Sequence, residues 1–251
     1  MSSQNQPEVK VHLLPQLARP EEFSSRHCVV IDILRACTTM TTALENGASG
    51  VRVTETVEQA HQLRDQTNGS VLLGGERGGV KIEGFDLDNS PRAYSAPAVA
   101  EKTIVFSTTN GTKAMHHARL SSQMYIGCFR NRAALVAKLS KVRESIDLVC
   151  AGTNGEISSE DVLFAGLLAH SINETHQLSA DAETLLASRL LHAVEQTDAG
   201  IEAELLRSQG GRNLQKLGLE EDIRYCSQLD CSTIVPIWDS EQNWVHLEKN
   251  N

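Results

Sequence analysis

Short apolar runs recur along the chain as far as Cys150, and each is followed by a polar or glycine-rich turn. The runs that predict strands are Val9–Leu14, Cys28–Ile33, Val51–Val53, Val71–Leu73, Thr103–Phe106, Met124–Ile126 and Asp147–Cys150. Nearly continuous apolar runs of this length are typical of strands that are buried on both faces. Segments with helical length and spacing, such as Thr56–Gln66 and Arg132–Val142, lie between them. The alternation predicts an α/β fold with a largely parallel or mixed sheet and helices on both faces, in three layers.

The last third of the chain is predicted to be rich in helices. Ser159–Thr175 and Asp181–Thr197 are long and rich in Ala and Leu, and shorter helical pieces follow them. Thr233–Ile237 is expected to add one strand near the end. No linker rich in Pro or Ser divides the sequence, so we expect one globular unit over residues 8–250, made of one body or two closely packed lobes. Residues 1–7 are polar and are expected to form a disordered tail.

Composition excludes several classes of partner. The net charge of −9 disfavours nucleic acids and anionic membranes, because both demand a basic surface. An aromatic content of 4% argues against a stacking surface for single-stranded nucleic acid. The sequence shows no signal peptide, and no apolar stretch approaches the ~20 residues that span a bilayer. None of the six cysteines forms a C-x2-C pair, so we expect buried thiols in a cytoplasmic protein.

Four polar segments lie at predicted strand ends, where open parallel sheets bind their ligands. In the first, Asp32 ends a buried strand, and a carboxylate there is costly unless a cation or hydrogen-bond donors meet it. Arg35 follows, with a guanidinium suited to bidentate binding of phosphate, sulfonate or carboxylate. The alternative interpretation is a structural Asp32–Arg35 pair, with Thr38 and Thr39 as caps of the next helix.

The second segment combines glycines with charged side chains. Five glycines lie between Gly74 and Gly84, and they permit positive φ and close backbone approach to a ligand. A flexible turn explains the glycines, but it does not explain why Glu76, Arg77 and Lys81 are interleaved with them. We therefore favour a functional role for this segment over a flexible turn.

The third segment offers hydroxyl and amide groups at the end of a strand. Thr108, Thr109, Asn110, Gly111 and Thr112 stand where a helix is expected to begin. Backbone N–H groups at such a position favour anions, so the segment is a candidate substrate cradle. Asn-Gly is also an ordinary turn signal, which is the alternative.

The fourth segment, Cys150–Asp161, repeats an Asn-Gly pair after a strand. We expect Asn154 and Gly155 to bind the substrate. Glu160 and Asp161 are candidate metal ligands, and the alternative for both is to stabilise the first turn of a helix capped at Ser159.

Familiar phosphatase and nucleotide motifs are absent. No cysteine begins a C-x5-R pattern, and Asp32 is followed two residues later by Leu34 rather than by a second aspartate. The sequence has neither a P-loop nor a G-x-G-x-x-G pattern.

Together the segments resemble the 2-phosphosulfolactate phosphatase family. Asp32–Thr39 resembles its D-V-L-R-A-T-T-T segment, and Gly74–Pro91 resembles its G-G-E-R-G-G-x-K-I-E-G-F-D-x-x-N-S-P segment. Thr108–Thr112 and Cys150–Asp161 are similar to T-T-N-G-T and C-A-G-T-N-G-x-x-S-x-E-D. Asp222–Pro236 resembles the C-terminal segment of the family. The resemblance implies a Mg²⁺-dependent phosphatase that converts 2-phospho-3-sulfolactate to 3-sulfolactate and phosphate, on a route to coenzyme M.

Residues and resemblance combine in one hypothesis. The expected Mg²⁺ ligands are Asp32, Glu76, Asp161 and Glu160. The expected catalytic residues are Asp32, Arg35, Glu76 and Arg77, with Lys81 among the substrate ligands. Direct attack by water is favoured, and an aspartyl-phosphate on Asp32 is the open alternative. The rival functions are a phosphomonoesterase for another phosphorylated hydroxy acid and a non-catalytic anion- or nucleotide-binding module. We also expect a homodimer.

Overall fold

Strands and helices alternate along the chain, as the apolar pattern predicts. The computed structural model describes residues 7–197 and 200–248. The strands there are β1 (Glu8–His12), β2 (His27–Ile31), β3 (Gly50–Thr54), β4 (Val71–Arg77), β5 (Val80–Lys81), β6 (Thr103–Ser107), β7 (Gln123–Gly127), β8 (Ile146–Cys150), β9 (Gln177–Leu178), β10 (Pro236–Asp239) and β11 (Trp244–Leu247). The helices are α1 (Ala36–Glu45), α2 (Val57–Gln66), α3 (Ala96–Val99), α4 (Gly111–His117), α5 (Arg132–Leu139), α6 (Ser159–Ser171), α7 (Ala182–Glu195), α8 (Gly200–Arg207), α9 (Gln209–Lys216) and α10 (Glu220–Cys226).

The predicted elements are confirmed, with shifted boundaries. Each apolar run up to Cys150 contains a strand, and the helix-rich last third consists of α6 to α10. The strand expected at Thr233–Ile237 begins only at Pro236. Thr38 and Thr39 do not cap α1, because that helix already begins at Ala36. The predicted disordered tail lies outside the described residues, apart from Pro7.

The strands form one mixed sheet in the order β5-β4-β6-β3-β11-β10-β7-β2-β8-β1-β9. Two parallel groups, β4-β6-β3 and β7-β2-β8-β1-β9, flank the antiparallel hairpin β10–β11. The pairings β3–β11, β11–β10 and β10–β7 are all antiparallel, so the two parallel groups run in opposite directions. The mixed sheet confirms the predicted fold class. Because the two groups are opposed, the carboxyl ends of the strands do not all lie at one edge of the sheet.

Loops from both groups nevertheless meet beside two helices. α1 packs against β3, β7 and β11, while α4 packs against β2. The core on this face joins Val30 and Val149 of one group to Ile104 and Phe106 of the other. The loops after β2 and β6 come into contact although their strands belong to opposed groups, since Asp32 Oδ2 lies 3.0 Å from the Cβ position of Gly111.

The opposite face of the sheet is also covered by helices, which completes three layers. α6 packs against β1, β2 and β8, and its Phe164 ring meets Phe129 with centroids 5.1 Å apart. α2 covers β4 and β6 through a smaller core that includes Ala60, Leu73 and Val105. Among the described helices, none combines the length and the apolar character needed to cross a membrane.

The cysteines are free thiols, as expected. Cys28, Cys37, Cys128, Cys150 and Cys226 are buried, and Cys231 is exposed. Burial raises the pKa of the Cys37 thiol well above its ordinary value, and the charge of nearby Asp32 acts in the same direction. A thiol held neutral in this way is a poor nucleophile.

Candidate active site

A cleft of about 130 Å³ opens where the loops of the two strand groups meet. Its lining contains members of all four polar segments: Asp32, Leu34, Arg35, Glu76, Gly78, Gly79, Asn89, Thr108, Thr109, Asn110, Thr153, Asn154, Gly210, Asn213, Leu214 and Leu217. Segments that are far apart in the sequence thus share one small, largely polar space.

Asp32 follows β2 at the floor of the cleft and is only 8% exposed. One carboxylate oxygen, Oδ1, accepts a hydrogen bond from the Ala36 N–H at 3.1 Å. The other oxygen lies 3.0 Å from the point where a Cβ of Gly111 would stand, so glycine permits this approach. Burial raises the pKa of Asp32 to about 7. The negative charges of Glu76 and Glu160 act in the same direction, against the Ala36 and Gly111 N–H groups.

Asp161, in the first turn of α6, ties two strand-end loops together. Its Oδ1 accepts the Ile33 N–H at 2.8 Å, and its Oδ2 accepts the Gly152 N–H at 3.1 Å. Burial raises the pKa of the carboxyl well above its ordinary value, and the charges of Glu160 and Asp32 add to this. Because each oxygen already accepts a backbone proton, Asp161 holds the loops in register beside the cleft.

Glu160 is buried with an unsatisfied oxygen. It is 1% exposed, and its Oε2 has no hydrogen-bond partner among the described residues. A Cβ on Gly210 would lie 2.3 Å from Oε1, so this position of α9 needs glycine. Burial raises the pKa of Glu160. A buried carboxylate in this state is costly unless it takes up a proton or meets a cation.

The charged side chains of the glycine-rich segment separate in space. Glu76 lines the cleft, and its Oε2 accepts the Gly79 N–H at 2.7 Å. Arg77 instead donates to the Ser107 hydroxyl at 2.9 Å and to the Glu55 carbonyl at 2.8 Å. Lys81, opposite Glu76 in the β4–β5 hairpin, is exposed. As placed, Arg77 and Lys81 lie outside the lining of the cleft, although both were expected to bind the substrate there.

Arg35 lines the cleft, and contacts on the side away from the cleft fix its guanidinium. The guanidinium is 2% exposed and forms an ion pair with Asp222 of α10 at 2.5 Å. It also donates to the Gly79 carbonyl at 3.0 Å, and Asp222 accepts the Ser90 hydroxyl at 2.7 Å. Arg35 therefore forms a structural ion pair, as the alternative interpretation expected, but its partner is Asp222 rather than Asp32.

The two Asn-Gly loops meet at one side of the cleft. The Asn110 side-chain oxygen accepts the Asn154 N–H at 3.2 Å, and Asn154 has a φ of 54°. The buried hydroxyls of Thr108 and Thr112 lie 3.4 Å apart. Thr108, Thr109, Asn110 and Asn154 line the cleft, whereas Gly111 and Thr112 form the turn behind it. Gly155 borders a neighbouring cavity instead.

The donor set suits Mg²⁺ chemically, although no cage is preformed. Within residues 7–197 and 200–248, no group of three or more His, Cys, Asp or Glu side chains is arranged to enclose a metal ion. Mg²⁺ does not need such a cage, because it is usually held by one or two carboxylates, waters and substrate phosphate. Asp32 and the unpartnered Oε2 of Glu160 supply hard oxygen donors beside the cleft. The residues therefore fit the group.

One wall of the cleft was not anticipated. It is formed by Gly210, Asn213, Leu214 and Leu217, from α9 and the residue after it. A glycine pair inside a helix was the available signal, because glycine is unfavourable in a helix interior unless space requires it. Asn89 was also missed as a lining residue; it is 4% exposed, and its side-chain oxygen has no partner in the described part of the chain.

Comparison with known proteins identifies the family. A family model described as 2-phosphosulpholactate phosphatase matches residues 12–241. A protein of Symbiobacterium thermophilum named "Probable 2-phosphosulfolactate phosphatase" is 38% identical over 225 residues, which cover 88% of this chain and 95% of that protein. Proteins with the same name from Deinococcus radiodurans and Thermotoga petrophila are 38% identical over 231 residues and 41% identical over 211 residues. These matches cover 91% and 84% of this chain, and 92% and 88% of the two relatives. The chain therefore belongs to the 2-phosphosulfolactate phosphatase family, whose members are classed as phosphoric monoester hydrolases.

Proposed function

We propose that the chain is a Mg²⁺-dependent phosphatase that hydrolyses 2-phospho-3-sulfolactate to 3-sulfolactate and phosphate. The observation that carries the proposal is the placement of buried carboxylates beside a cleft lined by hydroxyl and amide groups. Family membership supports the reaction class, and the names of the relatives support the substrate.

Charge is the reason for including a metal. The substrate bears phosphate, carboxylate and sulfonate groups, whereas Asp32 and Glu76 give the cleft negative charge. The one arginine in its lining is neutralised by Asp222. A phosphate group cannot approach this site favourably without an added cation. Asp32 and Glu160 would hold Mg²⁺, with Glu76 at the rim, and the bound ion would polarise a phosphoryl oxygen and activate water.

The remaining residues bind and orient the substrate. The hydroxyls of Thr108 and Thr109 and the amide of Asn110 face the space in which phosphate oxygens would lie. Arg35 has five N–H donors, of which the Asp222 and Gly79 bonds use two, so the guanidinium retains donors for the substrate. The bonds to Asp222 and Gly79 hold the Arg35 guanidinium in place, so less conformational entropy is lost when it binds an anion.

Asp32 is also suited to a second task. Without a bound cation its carboxyl has a pKa of about 7; a bound Mg²⁺ would lower that pKa and keep the carboxylate ionised, so that it could accept a proton at neutral pH. We assign to Asp32 Oδ2, the oxygen facing Gly111, the acceptance of a proton from the attacking water. This role favours direct hydrolysis over an aspartyl-phosphate, because a carboxylate cannot serve as base and nucleophile at once.

A phosphate-release screen tests the proposal. Purified protein is stripped with chelator and assayed with and without Mg²⁺ on 2-phospho-3-sulfolactate, 2-phospholactate, 2-phosphoglycerate and phosphoenolpyruvate. We expect Mg²⁺-dependent turnover with the highest kcat/KM for the sulfonated substrate. A higher kcat/KM for another ester would support the rival phosphomonoesterase, and binding without turnover would support the non-catalytic module. Full turnover after metal removal would refute the metal role.

A further inference from the structure

A second cavity, of about 470 Å³, adjoins the cleft. Asn110 and Asn154 line both spaces, and the hydrogen bond between them forms part of the boundary. The side chains of Gln16, Lys113 and His117 line the other walls. No residue of this cavity has a role in the site described so far except the two shared asparagines.

The two spaces differ in charge. The described lining of the cleft includes the carboxylates of Asp32 and Glu76. Lys113 is the only charged residue among the described residues that line the second cavity, where the other side chains include amides and an imidazole. Lys113 is exposed, and its ammonium has no ion-pair or hydrogen-bond partner within residues 7–197 and 200–248. The cavity therefore presents an uncompensated positive charge and hydrogen-bond donors.

The walls of the cavity are fixed by specific contacts. His117 Nε2 donates to the Ala18 carbonyl at 2.8 Å, which anchors the short 3-10 turn containing Gln16 against α4. The Gln16 amide nitrogen lies 3.9 Å from the point where a Cβ of Gly155 would stand. Gly155 itself has a φ of 82°, a conformation that other residues rarely adopt. The backbone conformation of this wall therefore favours glycine.

We infer that this cavity is the subsite for the non-reacting anionic end of the substrate, the sulfonate, and that Lys113 is its specificity-determining cation. The inference rests on the proposed function and adds to it the side chain that selects the substrate. Lys113 lies three residues after Asn110, so the two side chains lie on the same face of α4. Asn110 lines the cleft as well as the second cavity. A substrate held at Asn110 can therefore keep its phosphate in the cleft and direct its second acidic end toward Lys113.

The division of charge explains how one site accepts a substrate with several anionic groups. Phosphate enters the acidic cleft with the help of a metal ion, whereas the sulfonate needs a fixed cation at a distance from that metal. A phosphorylated hydroxy acid without a second acidic end leaves Lys113 unpaired and loses its contribution to binding. Discrimination therefore resides in the cavity, and the chemistry resides in the cleft.

The test compares two substrates that differ only in the sulfonate. Values of kcat/KM for 2-phospho-3-sulfolactate and 2-phospholactate are measured for the wild type, Lys113→Ala and Lys113→Arg. Lys141→Ala, at an exposed lysine before β8, is the matched control. We expect Lys113→Ala to reduce the ratio of the two values at least about fivefold, mainly through KM. Lys113→Arg should retain most of the ratio, and Lys141→Ala should retain all of it.

Calorimetric titration with 3-sulfolactate and with lactate gives a readout that does not depend on turnover. The ratio of the two Kd values should shift in Lys113→Ala as the kinetic ratio does, and the wild-type preference should weaken with added salt. Equal ratios for the wild type and Lys113→Ala would overturn the subsite. A wild type that hydrolyses neither ester would refute the proposed function, while the titration would still decide the subsite.

Discussion

The two sides of the cleft are built differently. On the side of β2 and β8, Asp32 and Asp161 are buried, and backbone N–H groups bind their oxygens. On the side of β4, Glu76 is half-buried near the end of the strand, in a β4–β5 hairpin whose Gly75, Gly78 and Gly79 all have positive φ. The first side is assembled as part of the core, whereas the second is a surface hairpin shaped by glycine. Substitutions on the first side should therefore alter stability and chemistry together, and substitutions on the second should alter chemistry alone.

The largest effect is expected where a residue joins the two sides. Arg35→Ala removes the Asp222 ion pair and the bond to the Gly79 carbonyl. Leaving Asp222 buried without its partner should reduce the free energy of unfolding by about 3–5 kcal/mol. Urea denaturation measures this loss. Arg77→Ala is the control, since that arginine is half-buried and bonds mainly to carbonyls. If both variants lost the same free energy of unfolding, the buried Arg35–Asp222 pair would stabilise the protein no more than the bonds of Arg77 do.

Asp32→Asn should give the largest effect on turnover. The amide cannot accept the proton of water and is a weaker metal ligand, so we expect kcat/KM to fall at least about a hundredfold, or roughly 2.7 kcal/mol. The steady-state rate of phosphate release is the measurement. Without metal the variant should fold at least as stably as the wild type, because it removes a buried charge. Near-normal turnover would exclude Asp32 from the reaction.

Glu76→Gln tests the glycine-rich side of the cleft. The Gln side-chain oxygen can still accept the Gly79 N–H, so stability should change by less than about 0.5 kcal/mol. Loss of the charge should raise the Mg²⁺ concentration required for half-maximal activity, and should lower kcat/KM about tenfold. Glu83→Gln, an exposed position in the same segment, should change neither quantity. If Glu76→Gln and Glu83→Gln had the same Mg²⁺ requirement and the same kcat/KM, Glu76 would have no role in metal binding or turnover.

The smallest effect concerns pH and the metal-free protein. The folded-state pKa of Asp32 is about 7 and exceeds its unfolded value of 3.8, so the folded protein binds a proton that the unfolded chain does not bind in this interval. Metal-free protein should therefore gain stability as pH falls from 8 toward 5.5. Thermal unfolding with chelator measures the gain. Asp32→Asn should show a smaller gain, and identical pH profiles would contradict the assignment.

Local structure was predictable because it depends on nearby residues. Apolar runs such as Cys28–Ile33 produce buried strands wherever they pair, and Asp32 could be recognised as a costly strand-end carboxylate. Pairing partners were not predictable in the same way. Nothing in the spacing of Arg35 indicates a bond to Asp222, which lies 187 residues later in the chain. The cleft wall from α9 was hidden for the same reason.

The direction of the strands shows a second limit of sequence reasoning. An apolar run contains no information about whether its neighbour runs parallel or antiparallel, and so the opposed groups were not foreseen. Convergence of the four segments was nevertheless expected, from the rule that parallel sheets bind ligands at the carboxyl ends of their strands. That rule does not hold across two opposed groups, yet members of all four segments line one cleft. Three of the segments supply the loop after a strand, whereas Glu76 belongs to the end of β4 itself.

The position of the β10–β11 hairpin has a consequence for the order in which the protein matures. The last strands along the chain lie in the middle of the sheet, between β3 and β7. A ribosome synthesises the two parallel groups well before it synthesises the strands that join them. Until the hairpin is made, each group has an unpaired edge strand, and such edges can pair with strands of other chains. Completion of the cleft therefore waits until the hairpin, which follows both groups along the chain, has been synthesised.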